Sequence, residues 1–300
     1  MARFLLLFVD GVGLGPATAG NPLVRPGLPA LHGSLGGPLT IERAGHVGEG
    51  AALAALDAAL GVEGLPQSAT GQTALFTGIN APELLGRHVA AFPGPRLAAL
   101  LAEHSLLRAA ASRGHRVTFA NPYSRRNFDE VEGGRRRHSA TTLAVLAAGI
   151  PLRDLDDLAA GRACAWDVTR ERFRAWAPEV EPVAARSAGE HLAAVAAEND
   201  LTLWETFMTD LAGHRRLGWT PEQALERLDG LLAGLLALRP ADLTVLLVSD
   251  HGNLEEPAHR SHTRNPVPLV AIGPEARSFG DLDRLDRLAP RLLSRLGAPG

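Results

Sequence analysis

Asp210, His214, Asp250, His251 and His262 are residue types that hold divalent metals, and their spacing groups them. Asp250-His251-Gly252-Asn253 follows an apolar run at 245–248 that reads as a buried strand. Asp210 and His214 lie four apart after another apolar stretch, 201–208, so one helical turn would face both the same way. His262 follows in Ser261-His262-Thr263-Arg264-Asn265-Pro266, and Asp10 closes the first apolar run, 4–9. Carboxylates mixed with imidazoles suit Zn²⁺ or Mn²⁺, whereas Ca²⁺ takes oxygen ligands only. Any one strand-end Asp reads equally well as a turn former or cap. A lone His is more often a core or surface residue than a ligand. The whole set requires several such coincidences at once.

A nucleophile is available as well. Pro66-Gln67-Ser68-Ala69-Thr70-Gly71-Gln72-Thr73 precedes the apolar Ala74-Leu75-Phe76. A hydroxyl at a helix start lies beside free N–H groups and the positive end of the helix dipole, where a phosphoryl group can be held. Next to a divalent cation such a hydroxyl becomes acidic enough to attack phosphorus near neutral pH. The competing reading is that Ser68 or Thr70 only caps the helix. The glycines of Asp10-Gly11-Val12-Gly13-Leu14-Gly15 do not fit a dinucleotide loop: the third is one position early and Pro16 follows it. They read instead as letting backbone pass close to a site around Asp10.

These residues need a scaffold. Apolar runs of strand length recur at 4–9, 117–120, 201–208, 243–248 and 267–272, with Ala/Leu-rich segments of helical period at 97–111, 188–197 and 221–238 between them. That alternation predicts an α/β fold, a three-layer sandwich on a mainly parallel central sheet. Near-continuous apolar strands fit a sheet covered on both faces. Functional residues of such sheets collect at the carboxyl ends of the strands, so distant Asp and His residues would meet at one edge. One domain over 1–300 is expected, with about 121–185 as an irregular elaboration or reduced cap.

Composition narrows the function. A net charge of −3 over 300 residues, with both signs spread along the chain, points to no nucleic-acid or membrane partner. Every cationic side chain other than His is Arg, so lysine-dependent chemistry is excluded. The single cysteine, Cys164, permits no intramolecular disulfide and suits a cytoplasmic location. The run at 4–9 is too short for a membrane span.

Taken together, four segments resemble the alkaline phosphatase superfamily, and within it the cofactor-independent phosphoglycerate mutase and phosphopentomutase branch. They are Asp10-Gly11-Val12-Gly13, Ser68-Ala69-Thr70-Gly71, Asp210-x-x-x-His214, and Asp250-His251-Gly252-Asn253 followed by His262-Thr263-Arg264-Asn265-Pro266-Val267-Pro268. The resemblance implies an alkaline-phosphatase-like core. It implies that Asp10, Asp250 and His251 hold one divalent ion and Asp210, His214 and His262 a second, with Ser68 bridging metal and phosphate as nucleophile and Thr70 as the backup. The chain departs from that branch in three ways: little room for a cap domain, Gln72 where the mutases use a His, and no lysine. The expectation is therefore two-metal phosphoryl transfer on a small phosphorylated substrate through a phosphoserine, as a phosphatase or phosphodiesterase. A phosphomutase is the alternative, and a non-catalytic metal-binding protein the second alternative. Arg87, His88, Arg125 and Arg264 are candidate phosphate or substrate contacts. Arg126, His138 and Asp167 are weaker ones, and no oligomeric state is implied.

Overall fold

The computed structural model describes residues 2–133, 135 and 137–297. Six strands, β1 (Arg3–Val9), β2 (Ala51–Leu56), β3 (Val117–Phe119), β4 (Leu201–Thr206), β5 (Leu243–Val248) and β6 (Val267–Ile272), form one sheet in the order β2-β6-β5-β1-β4-β3. β1 pairs in parallel with β4 and β5, and β3 with β4, while β6 runs antiparallel to both β5 and β2. Only β6 is therefore reversed. That reversal matters for the site: the residues just before β6 reach the edge where the other strands end.

Both faces of the sheet are covered. Because side chains alternate along a strand, Phe4, Leu6 and Phe8 enter one core with Leu75, Leu101 and Val145. Leu5, Leu7 and Val9 enter the other with Leu192, Leu228 and Leu232. The first face carries the helices Ser68–Thr77, Pro95–His104, Leu106–Ser112, Ala140–Ala147 and Leu288–Leu296; the second carries Ala185–Ala197 and Pro221–Leu238. Burial on two sides explains why β1, β4 and β5 read as almost unbroken apolar runs.

Local chemistry sets the element ends. Pro221 follows the N-cap Thr220, which exchanges hydrogen bonds with Gln223 as a capping box. The helical pattern at 97–111 is two helices, because buried Ser105 is extended (φ −62°, ψ 142°) and its hydroxyl caps the second by accepting from Arg108 N–H. The run at 201–208 stops being strand at Thr206, whose hydroxyl accepts from Met208 N–H as the next helix starts. Strand β2 has no strand-like composition: Ala-Ala-Leu-Ala-Ala-Leu is helix-favouring, and its pairing with β6, Ala51 opposite Ile272 through Leu56 opposite Val267, overrides that preference. Within 121–185, the Ala140–Ala147 helix adds Ala144 and Val145 to one core, and Trp166, Val168 and Phe173 join the other. No helix among the described residues is long and apolar enough to cross a membrane.

Candidate metal centre

Three strands and one reversed strand deliver the expected residues to a single edge. Asp10 directly follows β1, and Asp250 and His251 lie just beyond β5. β4 leads into the short helix Met208–Gly213, which carries Asp210 and has His214 as its C-cap. His262 comes from the loop before β6. Ser68 is the first residue of the helix Ser68–Thr77, whose N-cap is Gln67 with no side-chain cap bond. Ser68 is thus not capping this helix. Its Oγ lies 3.1 Å from His251 Nε2.

Two three-residue groups form. In the first, His251 Nε2 is 3.2 Å from Asp10 Oδ1 and 3.8 Å from Asp250 Oδ2. In the second, Asp210 Oδ1 is 3.3 Å from His214 Nε2 and 3.9 Å from His262 Nε2, and the two imidazole nitrogens are 3.3 Å apart. His251 stands between the groups: its ring stacks on that of His262 at 3.6 Å, and its nitrogen also falls within 4.8 Å of the ligand atoms of Asp210 and His262. Thr70, by contrast, is turned to structure. Its hydroxyl donates to Gln67 O and accepts from Val89 N–H, both at 3.2 Å.

The hydrogen bonds around the imidazoles fit metal binding. Nδ1 of His214 meets the Arg260 carbonyl at 2.7 Å, and Nδ1 of His262 meets the Pro66 carbonyl at 2.8 Å. Carbonyls only accept, so each Nδ1 carries the proton and each Nε2 presents its lone pair. Two lone pairs facing at 3.3 Å repel unless a proton or cation lies between them. A carboxylate gives the same sign. Asp250 Oδ1 is buried with no hydrogen-bond partner among the described residues, which is costly unless a charge compensates. The donor set, three carboxylates and three imidazoles, suits divalent ions that accept mixed oxygen and nitrogen ligands.

With these side chains alone, the electrostatics are polarised. Burial, then the charges of Asp250 and Asp210, push the Asp10 carboxyl well above its usual range. Burial also acts to raise Asp210, but the His214 imidazole beside it, the charge of His251 and a hydrogen bond from Asn253 hold it at about 2. Burial works against protonation of His251, and the charges of Asp250, Asp10 and Asp210 outweigh it and lift it to about 10. Burial and the nearby His251 lower His262. Excess negative charge at the edge is what draws protons onto His251, and a divalent cation would meet the same field.

Three residues support the candidate ligands, and of these only Glu255 carries no sequence signal. Glu255, only 2% exposed, accepts from Gly13 N–H (2.9 Å), Asn253 N–H (2.9 Å), Asn265 Nδ2 (3.0 Å) and the Thr263 hydroxyl. One carboxylate so ties the Asp10 loop, the Asp250 loop and the His262 loop together. Asn253 donates to Asp210 Oδ1 at 2.7 Å, and Gln72 donates to Asp250 Oδ2 at 3.1 Å. The four-residue spacing from Ser68 to Gln72 placed the latter on the same helix face, a signal that was legible. Nothing in the local sequence announces Glu255. Two glycines are required by close approach. A Cβ at Gly11, where φ is +73°, would sit 2.7 Å from the Asp210 side chain, and one at Gly71 would sit 2.9 Å from the Asp250 carbonyl.

A cavity of about 390 Å³ opens from Ser68, Asp10 and Asp210, and Asn121, Arg137, His138, Trp166, Glu205 and Phe207 also line it. Arg87, His88, Arg125 and Arg264 do not. His88 Nε2 meets the Val62 carbonyl at 3.3 Å, and Arg87, Arg125 and Arg264 are exposed. Arg126 pairs with Glu130 on its own helix. Asp167 is buried and accepts from Arg172 N–H and Phe173 N–H, fastening a loop.

Residues 179–299 match the family model of the metalloenzyme superfamily. A 2,3-bisphosphoglycerate-independent phosphoglycerate mutase of Vibrio vulnificus is 34% identical over 96 residues, 29% of this chain and 19% of that protein. The mutase of the same description from Cereibacter sphaeroides is 31% identical over 144 residues, 43% of this chain and 28% of that one. The matched stretches thus span about a fifth to a quarter of those relatives. Alkaline phosphatase from the Antarctic bacterium TAB5 shares the fold, with a TM-score of 0.56 at 13% identity over 99% of this chain and 98% of that one. A protein described as PH0037 from Pyrococcus horikoshii shares it with a TM-score of 0.55 at 12% identity, over 100% and 98% of the two chains. A variant of the TAB5 phosphatase, with a TM-score of 0.54 at 12% identity over 99% of this chain and 98% of that one, is described with Mg bound.

Proposed function

The chain belongs to the alkaline phosphatase superfamily, and on that footing we propose that it hydrolyses a small phosphate ester through a phosphoserine at Ser68. The observation that carries this reading is the position of Ser68: its hydroxyl opens a helix and lies 3.1 Å from His251 Nε2, next to both ligand groups. Asp10, Asp250 and His251 would hold one divalent ion and Asp210, His214 and His262 the other, as Zn²⁺ or Mn²⁺. When bound, such ions supply Lewis-acid stabilisation of phosphate oxygens and make a neighbouring hydroxyl more acidic.

The chain's own residues do the rest. Ser68 Oγ attacks phosphorus in line, the P–O bond to the alcohol breaks, and the phosphoryl group stays on Ser68. Free N–H groups of the first helical turn face the negative charge that develops on the phosphoryl oxygens. Ser68 Oγ, 3.1 Å from His251 Nε2, is held beside the atoms that would bind the first ion. Gln72 holds Asp250 and Asn253 holds Asp210, so neither carboxylate swings away during the reaction. Water then attacks phospho-Ser68 and releases phosphate. A cytoplasmic site of action belongs to the same reading.

A phosphomutase is the second reading, supported by the similarity of the C-terminal segment to phosphoglycerate mutases. A metal-binding protein without turnover is the third. An assay with an aryl phosphate, a phosphopentose and phosphoglycerate, in Mn²⁺ or Zn²⁺, separates them. Hydrolysis should require the metal and fall by roughly a thousandfold or more in Ser68→Ala, about 4 kcal/mol of barrier. Isomerisation with little phosphate release would favour the mutase, and no turnover with metals bound would favour the third reading.

A further inference from the structure

Glu205 is a buried carboxyl that the proposed reaction does not use. It lies in β4 on the face that carries Leu201 and Leu203, one residue before the strand ends. Asn121 fixes its backbone from both sides: its Nδ2 donates to Glu205 O at 2.8 Å and its Oδ1 accepts from Glu205 N–H at 2.9 Å. The side chain is 8% exposed and lines the cavity that opens from Ser68. Burial pushes its carboxyl up to about 7, opposed by the Thr141 hydroxyl beside it, and no basic side chain among the described residues offsets that burial.

The walls of this cavity are aromatic. Trp166 stacks on Phe207 with ring centres 4.2 Å apart and meets Trp176 at 5.7 Å, and Phe173 packs edge-on against Trp176. All four line the cavity, with Tyr123 and Phe92. The indole N–H of Trp166 is buried without a hydrogen-bond partner. An ionised carboxyl among apolar walls is costly unless a positive charge joins it. Aromatic faces attract the same kind of group. A neutral alcohol would suit the rings and leave the carboxylate uncompensated. An anionic alcohol would be repelled by Glu205, although exposed Arg137 in the same cavity would favour it.

We propose that the cavity takes the alcohol portion of the phosphate ester, and that this alcohol carries a positively charged nitrogen, an ammonium or quaternary ammonium group, held in the cavity that Glu205 and the aromatic rings both line. This rests on the hydrolase reading above for its phosphate half, while the cation pocket stands apart from the metals.

Two measurements test it. The metal-loaded protein is given phosphocholine and its uncharged isostere, in which a carbon replaces the quaternary nitrogen. We expect kcat/KM about tenfold or more higher for the charged ester, and a ratio near one in Glu205→Gln. Separately, choline alone is titrated against the metal-free protein by tryptophan fluorescence, with Trp166 and Trp176 as reporters. Saturable binding is expected in the wild type, weakened about tenfold in Glu205→Gln and in Trp176→Leu. If no ester is turned over, the hydrolase reading fails and the choline titration still decides the pocket. The proposal is overturned if choline does not bind, if the two esters react alike, or if phosphoglycerate outruns the charged ester.

Discussion

The two halves of the candidate metal centre are built by different means. Asp10, Asp250 and His251 sit at the ends of β1 and β5, where pairing of Leu7 with Leu247 and of Phe8 with Val248 fixes their relative position. All three are buried. Asp210, His214 and His262 sit on a six-residue helix and a loop, and are half-buried. Their geometry depends on single long-range bonds: His214 to Arg260 O, His262 to Pro66 O, and Asn253 to Asp210. One half is a consequence of sheet register, whereas the other is assembled by clamps. The first should be rigid and indispensable, the second adjustable.

The largest effect should come from removing a ligand in the rigid half. Asp250→Ala should lower kcat/KM on a phosphate ester by roughly a thousandfold or more, ~4 kcal/mol, and remove one bound metal by elemental analysis. His214→Ala should cost only about ten- to a hundredfold, because it leaves Asp210, His262 and the whole sheet-built group in place. Equal losses from the two variants would erase the distinction between the halves.

The comparison extends to the neighbouring cavity, where Glu205 is a buried carboxyl with the Thr141 hydroxyl beside it. Its pKa rises from an ordinary 4.5 to about 7 on folding. A carboxyl raised on folding contributes stability that is fully present below about pH 4.5 and is lost as pH climbs through about 7. At ~1.4 kcal/mol per pKa unit, the loss is roughly 3 kcal/mol. Urea unfolding should therefore find Glu205→Gln close to wild type in acid and more stable than wild type above neutrality. A constant difference across pH would contradict the assignment. The smallest expected effect concerns the clamp that joins both halves. Glu255→Gln sets an amide N–H₂ against donors and should cost about 2 kcal/mol, with weaker metal binding in both groups. Loss confined to one group would show that the loops are not tied through Glu255.

What could be read from the sequence follows the same division. Strand ends announce themselves: an apolar run closed by Asp10 or by Asp250-His251 carries both the element and its ligand. The register that brings them together needs only the rule that parallel strands present their carboxyl ends at one edge. His262 was legible by residue type but not by mechanism, since its delivery depends on β6 running backwards. β2 escaped notice because its six residues are alanine and leucine and only its pairing with β6 makes them a strand. Glu255 and the aromatic cavity escaped for a different reason. Their partners come from segments up to 242 positions apart, and no local period encodes such a meeting. Arg87, His88, Arg125 and Arg264 illustrate the converse: charge and proximity in sequence suggested substrate contact, yet none of them lines the cavity that contains Ser68.

The central claim is that Ser68 carries the phosphoryl group between two metal-binding groups. Rapid acid quench of the metal-loaded protein during turnover of an aryl phosphate, followed by peptide mass spectrometry, addresses it directly. The account predicts one phosphate on the peptide that contains Ser68, placed on Ser68 by fragmentation, absent without metal and absent in Ser68→Ala. Turnover that proceeds with Ser68 unmodified, or with the phosphate on Thr70, would contradict it.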